Sequence, residues 1–352
     1  MNSFIIDKDN VRKFLNALHR NDKKFYQFYN IDFSADEYQF QKYMMGFREN
    51  KQDAALRLLN KTYYDIEIHF NPAVFPDPER AAYPVNSIAV YNNIKNEATI
   101  FIWVVHANLK DADIIQKEVV KIYEQKKKEN SAYDVENLNI KVRTYTSETK
   151  LLQEFFLYLR ELNTLFLIGF NSSLFDDPYV VQRGLNLAGD DINSYISEFS
   201  EVQKFGNRSF EWPDYTKVDL LTLYKPVDQG GNGLGKSLPN YKLDTVADVE
   251  LGIKKLDLDD LNQSYETNVA EFATYNLLDT LLTYKLDQKL QFLELNWLLA
   301  KYNDAPMSSA IRGRSLMYRY RNDLIYSRRN QCVRTRTFGK EIFYPFERNE
   351  NE

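Results

Sequence analysis

The stretch KTYYDIEIHF, residues 61–70, constrains this chain more than any other, because it has the composition of a buried strand and still carries two acids. Successive side chains of a strand leave opposite faces, so Asp65 and Glu67 project from the same one. Two carboxylates held that close repel, and each is driven toward its neutral form unless a cation lies between them. Hard divalent ions, which take oxygen ligands, are the usual occupant. A solvent-facing strand would display the same pair with no ligand at all, so the choice rests on what accompanies it.

The chain has 352 residues, 44% of them hydrophobic and 14% aromatic, enough for one large domain or two modest ones around a sizeable core. Cys332 is its single cysteine, which excludes an internal disulfide and a cysteine-based zinc site and fits a reducing, cytoplasmic setting. No run approaches eighteen apolar residues, and the opening MNSFIIDKDNVRKF has charges where a secretory leader needs an apolar centre, so no membrane partner is expected. The net charge of −5 hides a segregation. Residues 312–340 hold nine basic residues against one acid, so this window carries +8 and the remainder −13. With Tyr318, Tyr320 and Tyr326 interleaved, the tract suits a phosphate backbone with stacked bases, and equally a solvated surface.

Periodicity divides the chain into three parts. Residues 1–60 read as short helical pieces and form an N-terminal accessory region. Residues 61–300 begin with three strands, TYYDIEIHF, VNSIAVYNN and ATIFIWVVHA, the last two joined by a turn over 92–97. A helix over 147–162, capped by Ser147, leads into the strand TLFLIGF. A further strand, KVDLLTLY, and helices over 243–251 and 266–300 complete a mixed central sheet flanked by helices, an α/β fold. Residues 301–352 are the basic C-terminal segment.

Two more segments carry acids in suggestive places. In GFNSSLFDDPYVVQR a strand ends at Asn171, and a helix begins near Asp177 and Pro178, which puts Asp176 at a strand-to-helix junction. In ATYNLLDTLLTYKL, Tyr275 and Asp279 stand one helical turn apart on one face. Taken singly, the first reads equally as a helix cap and the second as the polar face of an amphipathic helix.

Taken together, in this order, DxE in the first strand, GFNSSLFDDPY after a later strand and YxxxD on a late helix resemble the three exonuclease motifs of the DEDD superfamily. The resemblance is to the proofreading region of B-family DNA polymerases, of the tailed-phage replicative type. FPDPERAAYPVNSIAVY, LDTVADVELG and YNDAPMSSAIRGRSLMYRY support it, and it runs from about residue 60 to 325. It implies a ribonuclease-H-like exonuclease fold and two divalent ions, Mg²⁺ or Mn²⁺, held by Asp65, Glu67, Asp176 and Asp279. It also implies hydrolysis of single-stranded DNA from the 3′ end, with Tyr275 orienting the attacking water and Asn171 and Phe175 contacting the terminal nucleotide. Thr274 occupies the position where the histidine branch of the superfamily carries its histidine, so the tyrosine branch is implied. His69 stands where a small or hydroxyl residue is expected.

Two motifs mislead. Gly230 to Ser237 spells GxxxxGKS, a phosphate-loop pattern, but Pro226 and Pro239 flank it where a strand and a helix are needed. DLLTLYKP imitates a polymerase motif and reads better as part of the exonuclease sheet. No palm, fingers or thumb motif follows the third exonuclease motif. The expectation is therefore a proofreading chain beside a separate polymerase chain, with other replication proteins as further partners, working in a host cytoplasm if phage-encoded. Arg328, Arg329, Arg334 and Arg336 are candidates for contact with DNA or the partner. An inactive structural or DNA-binding subunit and an RNA-directed exonuclease of the same superfamily are the alternatives.

Overall fold

β1 (Lys61–Ile68) is buried on both faces except at Asp65 and Glu67, which are half-buried. Its Thr, Tyr and Ile residues suit such a strand. β2 (Val85–Asn92) is buried throughout and pairs antiparallel with β1, setting Asp65 opposite Ala89 and Glu67 opposite Ser87. The register shifts between Glu67 and Ile68, at the end of the strand that carries the acids. β3 (Glu97–Trp103) returns antiparallel to β2 through the expected turn. Asn92 makes that turn by accepting from the amides of Ile94 and Lys95 at 3.1 and 2.9 Å, and Asn96 takes a left-handed φ of 50°.

The chain is seen here as a computed structural model that describes residues 59–69, 76–197, 202–205, 209–211, 215–229, 231, 233–253, 261–303, 307, 311, 333–337 and 340–344. α1 (Ala112–Glu129), capped by Asp111, crosses from β3 to the parallel β4 (Asn139–Tyr145). α2 (Glu148–Glu161) follows, and the Ser147 hydroxyl accepts from the Lys150 amide at 3.3 Å as its cap. β5 (Phe166–Gly169) lies parallel to β1, α3 (Asp176–Ala188) and the short α4 (Asn193–Ile196) come next, and β6 (Gln203–Phe205) and β7 (Ser209–Glu211) form a small hairpin. β8 (Thr216–Asp219) closes a six-stranded sheet of order β4-β3-β2-β1-β5-β8. α5 (Leu220–Tyr224), α6 (Leu243–Leu251), α7 (Leu261–Thr267), α8 (Val269–Leu290) and α9 (Phe292–Asn303) follow.

The sheet lies between two helical layers. Tyr64, Ile66, Ile88, Val90 and Phe101 pack beneath α2 and α3, whereas Tyr63, Ala89, Tyr91, Ile100 and Ile102 pack beneath α1 and α8. Asp65 and Glu67, which alternate with Ile66 and Ile68, therefore leave the α8 side. Arg183 of α3 ties the other layer together, donating to both oxygens of Glu148 at 2.8 and 2.7 Å while Glu148 accepts from the Val85 amide.

Three local readings change. KVDLLTLY is a strand only as far as Asp219, whose carboxylate accepts from the Leu221 amide at 3.0 Å and starts α5. The single helix expected over 266–300 is broken twice: Asn268 caps α8, and Gln291 ends it with a left-handed φ of 52°. The GxxxxGKS segment is a tight packing loop. Its Gly233 and Gly235 amides donate to the carbonyls of Lys225 and Tyr224, both at 2.7 Å, and Lys236 pairs with Glu250 at 3.1 Å. A Cβ on Gly233 would stand 2.1 Å from the Leu223 carbonyl oxygen, so packing accounts for the glycine. Of the basic tract, Arg328 and Arg329 lie outside the described residues, as do residues 1–58. Arg334 and Arg336 fall on β9 (Val333–Thr337), which pairs antiparallel with β10 (Lys340–Tyr344).

Candidate active site

Asp65 and Glu67 on β1 and Asp279 on α8 each offer a carboxylate oxygen, and the three oxygens lie within 4.8 Å of one another. Strand alternation places the first two, and α8, buried on almost every side against β1 and β2, delivers the third. Tyr275 stands one turn before Asp279 and is largely buried. Asp176 is not one of this trio. It begins α3, accepts from the Ile66 amide at 3.3 Å, and is 5% exposed. Burial first, then the charges of Asp65 and Asp177, push its carboxyl well above the usual range. An all-carboxylate trio of this kind fits a hard divalent cation, and Asp176 adds a further buried acid nearby.

The turn before Asp176 is built around Asp219. Asn171 takes a left-handed φ of 62°, a conformation that asparagine tolerates, and its amide donates to Asp219 Oδ1 at 2.9 Å. The Ser173 amide and hydroxyl both donate to Asp219 Oδ2, at 3.3 and 2.5 Å. Burial pushes the Asp219 carboxyl up and these bonds pull it partly back, leaving it raised. Gly169 is required because a Cβ there would lie 2.4 Å from Ser172 Cβ as the chain doubles back. Phe175 follows, half-buried and stacked on Tyr179 with ring centroids 5.4 Å apart. Beside Asn171 opens a cleft of about 470 Å³ lined by Phe170, Leu221, Tyr241 and Lys242 among others.

Behind the acids, Tyr64 donates to Asp177, which also pairs with Lys217 at 3.3 Å. Asn276 donates to Asp65 Oδ2 at 2.8 Å. His69 keeps its backbone in the sheet through a bond to the Pro84 carbonyl, and its ring lies 6.1 Å from that of Tyr265. Asp219 and Asn276 are the two polar residues that motif reading passed over. Each left a signal: an aspartate closing a strand in front of LLTLY, and an asparagine on the buried face of an apolar helix.

A family model described as "DNA polymerase family B, exonuclease domain" matches residues 2–246, taking in the N-terminal residues that the motif resemblance left out and ending before Tyr275. The DNA-directed DNA polymerase of Escherichia phage RB69 is 25% identical over 243 residues, covering 66% of this chain and 26% of the relative. That of Enterobacteria phage T4 is 22% identical over 254 residues, 67% of this chain and 26% of the relative. DNA polymerase 1 of Sulfolobus acidocaldarius is 27% identical over 229 residues, 65% and 22% respectively. The matched region thus spans about a quarter of the length of these relatives. No described helix is long and apolar enough to cross a membrane. With a six-stranded α/β sheet, an acid cluster drawn from its first and third motifs and a family match over most of its length, this chain belongs to the exonuclease-domain family of B-family DNA polymerases.

Proposed function

We propose that the chain is a metal-dependent 3′–5′ exonuclease acting on single-stranded DNA ends, the proofreading part of a B-family DNA polymerase. The convergence of Asp65, Glu67 and Asp279 oxygens within 4.8 Å, with the buried Asp176 carboxyl pushed up by burial and by the charge of Asp65, carries the reading. These four acids would hold two divalent ions, Mg²⁺ or Mn²⁺. When bound, the ions lower the pKa of an attacking water and stabilise the oxygen that leaves. The chain's own groups do the rest. Tyr275, a turn from Asp279, orients the water through its phenol. Asn171 and Phe175 hold the terminal nucleotide, one on a turn pinned by Asp219 and the other stacked on Tyr179. The cleft beside Asn171 has Phe170 and Tyr241 in its wall, aromatic rings that suit stacking with an unpaired strand, with Lys242 and Asp244 also lining it.

In this reading residues 61–300 are the exonuclease domain, residues 1–60 an accessory region, and residues 301–352 a basic segment leading toward a polymerase region, in the same or a separate polypeptide. Arg328, Arg329, Arg334 and Arg336 would contact DNA or that polymerase region, and other replication proteins would meet the assembly in the cytoplasm. The test is a 5′-labelled DNA oligonucleotide incubated with the protein and Mg²⁺ or Mn²⁺. Stepwise shortening from the 3′ end, abolished by chelator, is the expected result. Shortening from the 5′ end, preference for RNA, or an intact strand under every metal would overturn the proposal, the last favouring a structural or DNA-binding subunit.

A further inference from the structure

Asn276 lies on α8 between Tyr275 and Asp279 and is fully buried, with polar partners on both sides. Its Nδ2 donates to Asp65 Oδ2 at 2.8 Å and to the Asp65 carbonyl at 3.3 Å. Its Oδ1 accepts from the hydroxyl of Ser87 at 2.8 Å. Ser87, also fully buried, sits opposite Glu67 on β2. Chemistry fixes the direction of this chain: an ionised carboxylate can only accept, so the amide must turn its NH₂ to Asp65 and its oxygen to Ser87, and the serine must donate.

We propose that Asn276, itself oriented by Ser87, is a positioning residue that sets the rotation of the Asp65 carboxylate and thereby the affinity of the acid cluster for divalent cations. This rests on the reading that the cluster holds such ions. An amide has a particular merit in that position. A lysine would neutralise Asp65 and compete with a cation, and an acid would add like charge. A neutral donor fixes the carboxylate without itself cancelling its charge, which is how partners behind metal-binding carboxylates act. The bond to the Asp65 carbonyl fixes the strand and the side chain with one group, so helix and strand approach in a single register.

The test is Mn²⁺ titration of the protein followed by electron paramagnetic resonance, alongside the metal dependence of nuclease rate, for Asn276→Leu, Ser87→Ala and an Asp65→Ala/Glu67→Ala control. Asn276→Leu, close in volume, should weaken Mn²⁺ binding about 10- to 100-fold and raise the half-saturating metal concentration to match, with most of the maximal rate returning at saturating Mn²⁺. Ser87→Ala should shift both in the same direction by a few-fold. Parental Mn²⁺ affinity in folded Asn276→Leu, or a lower maximal rate at unchanged affinity, would overturn the proposal. Should Asn276→Leu not fold, parental affinity in Ser87→Ala overturns it alone. Mn²⁺ binding that is lost in the acid control but indifferent to Asn276 and Ser87 defeats this inference only. No Mn²⁺ binding by the parent defeats the site reading and this inference with it.

Discussion

Near the start of β1, Lys61 lies between Asp287 and Glu294, whereas further along the same strand Asp65 and Glu67 lie beside Asp279. Both groups join β1 to the helices α8 and α9 or α8 alone, and both are rich in acids. At the first, the protein supplies its own cation: Lys61 Nζ and the Tyr63 hydroxyl each stand 2.6 Å from Asp287 Oδ2, and Lys61 also bonds Glu294. Burial would lower the Lys61 pKa, but Asp287 and Glu294 outweigh it and hold the ammonium above its ordinary value. At the second, the strand and helix bring like charge together, and the neutral amide of Asn276 fixes Asp65 without cancelling it. The difference teaches how to tell two kinds of buried acid apart. In the first group an ammonium of the fold itself faces the acids; in the second the donor to Asp65 is a neutral amide, which orients a carboxylate without adding countercharge, as the proposed cation site requires.

The largest effect should follow from breaking the second group. Asp65→Ala/Glu67→Ala should lower nuclease activity by about 10³-fold or more, several kcal/mol of lost transition-state stabilisation, with unchanged circular dichroism because the removed acids repelled each other. Activity within tenfold of the parent would show that the two groups are alike in kind.

Breaking the first group should do the reverse. Lys61→Met strands Asp287 and Glu294 and should destabilise the fold by about 3–5 kcal/mol in chemical denaturation, while the folded fraction keeps its metal affinity. The pH dependence has a definite sign. Lys61 and the buried Tyr63 phenol both have folded pKa values raised above their unfolded ones, 10.5 and 10.0 for the ordinary groups. Their stabilisation is fully present below those values and is lost as pH rises through the higher folded ones. The parent should therefore lose its advantage over Lys61→Met only in strongly alkaline buffer.

This contrast was half legible in the sequence. The acids of the second group announced themselves because an alternating strand, a strand-to-helix junction and a helical i, i+4 pair are local patterns. Lys61 and Asp287 are far apart in the chain, and no local pattern links a lysine at a strand's start to an aspartate late in a long helix. Asn276 was hidden for a related reason, since its partners are on β1 and β2. The strands of the hairpin over 85–103 and the Ser147 cap could be read because their signals are contiguous. The break at Gln291 could not, because glutamine is a poor advertisement for a left-handed helix end, and α5 was hidden because LLTLY continues the apolar run of the strand before it without a break.

A third, smaller effect separates chemistry from binding within the second group. Tyr275→Phe keeps the ring in place and removes only the hydroxyl, so nuclease rate at saturating metal should fall about 10- to 1000-fold while Mn²⁺ affinity is unchanged. An unchanged rate would leave Tyr275 as a packing residue of α8.

The smallest effect tests whether Asp219 belongs to the structural kind or the ligand-binding kind. It is buried and acidic like the catalytic candidates, and its carboxylate accepts from Asn171, Ser173 and Leu221, donors that hold the turn and start α5, so its expected role is structural like that of Asp287. Asp219→Asn keeps the shape and replaces one acceptor oxygen by an NH₂ group, which must face a backbone N–H of the turn or of α5. One buried donor is then left unpaired, costing about 1–3 kcal/mol. Because that turn carries Asn171 and leads to Phe175, its loosening should raise the KM for a DNA end by several-fold more than it lowers kcat. Mn²⁺ affinity should stay within twofold of the parent, since none of the donors to Asp219 comes from the acid cluster. A loss of Mn²⁺ affinity comparable to that of Asp65→Ala/Glu67→Ala would instead move Asp219 into the ligand-binding group and dissolve the distinction between the two.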